Sequence, residues 1–168
     1  DLNDYEMPVF SSDKETELGI PQLAQDFYAK IGTADLIVIS FGTNESFDKL
    51  SNDTFMERLN LMIDNIRLFN YSAEIIVTTP QPSQFGRKNK NYLVEQYTKS
   101  IIDQAEIKNY AVWDMYNDLG GAKEVNSNFR NGIIASDKVH YTYKGYKKQA
   151  DDFFEAFMQS YQLNKSGK

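Results

Sequence analysis

Asp35-Leu36-Ile37-Val38-Ile39-Ser40-Phe41 runs without interruption into Gly42-Thr43-Asn44-Glu45. The run is aliphatic and β-branched with no polar alternation, which predicts a strand covered on both faces, as in a parallel sheet. Gly42 then permits a tight turn or the close approach of a substrate. Asn44, just past the strand end, is placed where its carboxamide can donate to a developing oxyanion. The plainer reading of Asn44 is a helix cap or turn residue.

Helical and extended segments alternate on either side of this strand. Pro21 opens a short helix to about Ile31, with Leu23, Phe27 and Ile31 at helical spacing. Residues 1–17 are polar and aperiodic and read as loop. Downstream, Phe55, Leu59, Met62, Ile63, Ile66 and Phe69 form one stripe of a helix over 53–69. A strand over 74–79 is stopped by Pro80 and Pro82, and a helix follows over 91–106. Residues 110–114 read as a third strand. A long connection through Gly120-Gly121 leads to a final helix, about 143–161, capped by Thr142. That helix is expected to bury Tyr146, Ala150, Phe153, Phe157 and Met158 or close neighbours, and 163–168 is a tail. This order predicts one α/β domain over 1–168, a three-layer α/β/α sandwich with a parallel sheet. In such sheets functional groups collect outside the carboxyl ends of the strands.

The single histidine, His140, lies in Asp137-Lys138-Val139-His140. A carboxylate three residues before a histidine can hold one ring nitrogen and leave the other free to take a hydroxyl proton. The alternatives are a surface or capping histidine and a turn aspartate bonded to its own backbone. Thr79–Phe85 follows the second strand, so Gln81 and Ser83 share the expected active edge with Gly42–Glu45, and Tyr141 adjoins His140. Gln81, Ser83, Phe85 and Tyr141 are candidates to line a substrate groove, although ordinary loop packing explains them at least as well.

Composition narrows the function. The chain has 168 residues, 41% hydrophobic and 25% charged, which suits one globular domain. A net charge of −6 argues against nucleic acid, because phosphate contacts need clustered Lys and Arg. The one basic cluster, Arg87-Lys88-Asn89-Lys90, reads as a solvated helix start. The absence of cysteine excludes disulfides and a thiol nucleophile, and with one histidine a zinc site is disfavoured. No apolar run reaches the length of a membrane span. The first residue is Asp, not Met, so Asp1 is expected to be a processed or truncated start.

Two segments together resemble the SGNH (GDSL-like) hydrolase family. Ile39-Ser40-Phe41-Gly42-Thr43-Asn44-Glu45 is similar to the block usually written GxND, with Glu45 in place of Asp. Asp137-Lys138-Val139-His140 is similar to the DxxH block, and Tyr141-Thr142 with Gly145-Tyr146 matches its flank. Trp113-Asp114-Met115-Tyr116, followed by Gly120-Gly121, resembles the branch with peptidoglycan and other carbohydrate O-acetylesterases. The resemblance covers roughly residues 30–162 and implies a flavodoxin-like fold, a triad role for Asp137 and His140, and an oxyanion-hole role for Asn44.

No Gly-Asp-Ser block with the nucleophile is present, and no second block supplies an oxyanion glycine; Gly19 is the nearest and is not assigned. Ser11, Ser12, Ser46, Ser83 and Ser136 do not sit in a strand–turn–helix elbow. The resemblance therefore implies the carboxyl-terminal part of a larger protein, whose upstream segment carries the serine on a central strand beside 35–41. The implied activity is serine esterase action on an O-acetylated carbohydrate such as peptidoglycan, without metal or cofactor, in a periplasmic, cell-surface or secreted bacterial protein. The rival readings are a non-catalytic module of the same fold that binds glycan or protein, and a lipase or thioesterase.

Overall fold

The structure is a computed structural model that describes residues 34–166. The expected helix over 21–31 and the polar segment 1–17 lie outside the described residues. Strand β1 (Leu36–Ser40) leads into a short helix α1 (Thr43–Phe47) and then α2 (Asn52–Phe69). Strand β2 (Glu74–Thr78) is followed by a small hairpin, β3 (Gln84–Phe85) and β4 (Asn89–Lys90), and by α3 (Tyr92–Lys108). Strand β5 (Ala111–Trp113), α4 (Met115–Asp118), α5 (Gly121–Arg130) and α6 (Tyr143–Ser166) complete the described order.

The main sheet is parallel, in the order β1-β2-β5, with Ile37 opposite Ile75 and Val77 opposite Val112. Alternation divides its faces. Ile39, Ile75 and Val77 are buried on one face beneath α2 and α3, together with Phe55, Leu59, Ile63 and Ile101. Phe55 stacks on Tyr97 with ring centroids 4.1 Å apart. Helix α6 packs on the opposite face, where Phe153 meets Trp113 at 5.0 Å and Ala156 supports the same cluster. The arrangement is a three-layer α/β/α sandwich.

The second face is only partly covered. Leu36 and Val38 are 38% and 46% exposed. A cleft of about 430 Å³ runs between the sheet and α6, lined by Leu36, Ile76, Val112, Phe153 and Phe157 among others. Among the described residues, β1 pairs with β2 on one side and with no strand on the other.

Three expectations change. The connection through Gly120-Gly121 is helical: Asp114 caps α4 by accepting from the Asn117 N–H, and α5 begins at Gly121. The basic cluster is a hairpin tip instead of a helix start, with Phe85 paired to Asn89 and Gln84 to Lys90. Helix α6 buries less than its stripe implies. Phe153 and Met158 are half-buried, but Ala150, Tyr146 and Phe157 are exposed among the described residues. The start of α6 is tightly held. The Gly145 N–H donates to the Thr142 hydroxyl at 3.1 Å, and a Cβ on Gly145 would stand 2.1 Å from the Ile133 carbonyl oxygen.

Candidate active site

The Gly42–Glu45 turn leaves β1 through a left-handed Gly42, φ +113°. Its N–H donates to the Glu45 carboxylate at 2.8 Å, so the acid that replaces the expected Asp closes the first turn of α1. A side chain at residue 42 would press on the loop after β2, since a Cβ there lies 3.0 Å from Pro80 Cγ. Gly42 and Pro80 are therefore in direct contact across the carboxyl ends of β1 and β2.

The next residue continues the link. The Gln81 carboxamide donates to the Val139 carbonyl, and the Gln84 N–H donates to the Lys138 carbonyl at 3.1 Å. A buried Asn91 closes the cluster by donating to Ser46 of α1 at 2.7 Å and to Ser83 at 3.0 Å. The turns after β1 and β2 and the Asp137–His140 loop thus share one edge of the sheet.

Within that loop the Asp137 carboxylate is fully used. One oxygen accepts the N–H groups of Val139 at 2.9 Å and His140 at 3.0 Å. The other meets His140 Nδ1 at 2.7 Å. Lys138 takes the left-handed conformation between them, φ +65°, and the loop closes with the Ala135 N–H on the His140 carbonyl at 2.7 Å. The hydrogen bond from His140 chiefly, with the two backbone N–H groups, lowers the Asp137 pKa from 3.8 to about 2. The imidazole side chain is 70% exposed, so its second nitrogen faces solvent while the first is held by the carboxylate.

The sequence-selected residues separate into distinct environments. Asp137 and His140 are hydrogen-bonded to each other, Gln81 bonds the loop that carries them, and Gly42 lies against Pro80 in the loop after β2. Asn44 is exposed on α1, and its side chain makes no hydrogen bond among the described residues. Gln81 spends its amide on the backbone of the His140 loop, which makes it a strut of that loop. Tyr141 departs from the groove-lining expectation: it is only 6% exposed and packs among Trp113, Ile133 and Ile134, with its ring 5.3 Å from Tyr146. Burial pushes its hydroxyl pKa well above the ordinary value. Ser46 and Ser83 are buried and hydrogen-bonded to Asn91, whereas Ser136 is exposed. Sequence reading missed Asn91 and the strut role of Gln81; the only signal was an Asn and a Gln flanking short polar connections. Among the described residues no three His, Asp or Glu side chains gather to hold a metal, and no helix is long and apolar enough to cross a membrane.

The fold defines a three-layer α/β/α protein with a histidine–carboxylate pair at the carboxyl edge of its sheet. Residues 12–148 match the GDSL-like lipase/acylhydrolase family, and the chain belongs to that family. A solved structure of a peptidoglycan O-acetylesterase superposes with a TM-score of 0.66 at 25% identity, over 84% of this chain and 41% of that one. A lipase/acylhydrolase from Enterococcus faecalis superposes with a TM-score of 0.58 at 24% identity, over 80% of this chain and 65% of that one. The chain therefore spans less than half the length of the first and about two thirds of the second. No match is found among curated proteins.

Proposed function

We propose that this chain supplies the base and part of the oxyanion hole of a serine esterase that removes O-acetyl or other short acyl groups from a carbohydrate such as peptidoglycan. The observation that carries the reading is the 2.7 Å contact between His140 Nδ1 and Asp137, with the imidazole otherwise open to solvent. The nucleophile is a serine on a segment upstream of residue 1. Among the described residues one side of β1 has no partner and Leu36 and Val38 are exposed, which supports a further strand beside it, since an edge strand with bare apolar neighbours invites pairing.

In the proposed reaction the serine oxygen attacks the acyl carbon, and the free nitrogen of His140 takes its proton. Asp137 holds the ring in the tautomer that presents that nitrogen and stabilises the imidazolium. The Asn44 carboxamide donates to the tetrahedral oxyanion, a contact whose loss typically costs about 3–4 kcal/mol in the barrier. His140 then returns the proton to the departing sugar oxygen, and water cleaves the acyl-enzyme by the same route. Exported glycan is the expected substrate, which puts the protein outside the cytoplasm.

A fluorophosphonate probe tests the reading, because it marks only an activated serine. The full-length protein is expected to carry one label, at a serine upstream of residue 1, and to release acetate from O-acetylated peptidoglycan in preference to long acyl chains. An unlabelled, folded protein would point instead to a non-catalytic binding module.

A further inference from the structure

The β3–β4 hairpin takes no part in the proposed chemistry, yet it adjoins both halves of the site. On one flank the Gln84 N–H bonds the Lys138 carbonyl in the His140 loop. On the other, Phe85 packs edge-on against Phe47 of α1 at 5.2 Å, and α1 carries Asn44. The tip stands clear of the body: a Cβ on Gly86 would have nothing within 4 Å.

The charge at this tip runs against that of the chain, whose net charge is −6. Four lysines are neutralised by neighbours: the exposed Lys90 by Glu95, Lys147 by Asp151 and Lys148 by Asp152, and the half-buried Lys108 by Asp64. Arg87 and Lys88 are adjacent, exposed and without an acidic partner among the described residues, a condition that Lys49, Lys99, Lys123 and Arg130 share singly elsewhere. Arg87 also holds a left-handed conformation, φ +66°, at a turn closed by the Lys88 N–H on the Phe85 carbonyl at 3.2 Å. Backbone geometry alone would favour Gly or Asn there.

We infer that the hairpin is a substrate arm whose Arg87 and Lys88 engage the carboxylates of an anionic, acylated glycan. Guanidinium matches carboxylate through paired N–H donors, and ammonium adds a point charge. A positive tip beside the site, in a chain that is otherwise acidic, favours an anionic polymer lying there. The half-exposed ring of Tyr92, 6.3 Å from Phe85, adds an apolar face at the base of the arm. The acyl part of this substrate rests on the esterase reading; recognition of the carboxylates does not.

The test is equilibrium binding to the full-length protein carrying His140→Ala, which separates recognition from turnover. The probes are O-acetylated peptidoglycan fragments with free carboxylates, and the same fragments with those carboxylates converted to methyl amides. The free-carboxylate form is expected to bind about tenfold tighter at low salt, with an advantage that shrinks as salt rises. Arg87→Asn with Lys88→Gln, chosen because Asn accepts the left-handed backbone, is expected to bring the two forms within about twofold. Equal binding of both forms, or an advantage that survives the double substitution, would overturn the inference. A protein that fails to hydrolyse esters but keeps the carboxylate preference would defeat the esterase reading and leave this one standing.

Discussion

The carboxamide of Gln81 donates to the carbonyl of Val139, so the loop after β2 grips the backbone one residue before His140. Gln81→Met removes that grip at similar volume. A stability loss of about 1 kcal/mol is expected in urea denaturation, the usual net worth of one such bond. In the full-length protein, turnover of an activated acetate ester is expected to fall about tenfold through kcat with KM little changed, because the imidazole loses its fixed position. A stability loss with unchanged kcat would make Gln81 structural only.

Asp137 gives a pH signature. Its folded-state pKa is lowered from 3.8 to about 2, chiefly by the His140 hydrogen bond. A lowered carboxylate pKa contributes stability that is present above the unfolded value, and that contribution is lost as pH falls from about 4 to about 2. Asp137→Asn is therefore expected to lower stability at pH 6 and to flatten the acid limb of the stability profile over that window. The side chain is 41% exposed, so solvent screening keeps the effect modest. An unchanged acid limb in thermal melts from pH 2 to 6 would deny Asp137 that role.

Gly42→Ala forces a side chain into a left-handed backbone and to 3.0 Å from Pro80 Cγ. A cost of about 1–3 kcal/mol is expected. Because the displaced turn leads into Asn44, ester turnover is expected to drop further than stability alone explains. Wild-type urea unfolding would show that the turn tolerates a side chain.

The legible parts of the fold were those where one face decides the pattern. The strand read over 35–41 is β1 at Leu36–Ser40, and the helix read over 53–69 is α2 at Asn52–Phe69. Periodicity states which residues share a face, but not whether a partner covers it. That is why Tyr146 and Phe157 of α6 were expected to be buried and stand exposed. The hairpin over 84–90 was hidden because its strands are two residues each, too short for any alternation to show. Adjacency of Tyr141 to His140 in the chain does not reveal that its ring turns inward onto Ile133 and Ile134, the packing reading that the sequence left open. At the site, the spacing of Asp137 and His140 was readable because a three-residue loop suffices to join them. The Asn91 bonds to Ser46 and Ser83 span 45 and 8 positions, and no local pattern announces them.

The proton-accepting role of His140 is the central claim, and acetate release by the full-length protein tests it most directly. His140→Ala is expected to cut turnover of an O-acetylated glycan by about a thousandfold or more, while the protein stays folded and its thermal melt falls only modestly, because the lost bond to Asp137 joins two partly exposed groups. A folded His140→Ala protein that releases acetate at close to the wild-type rate would contradict the account.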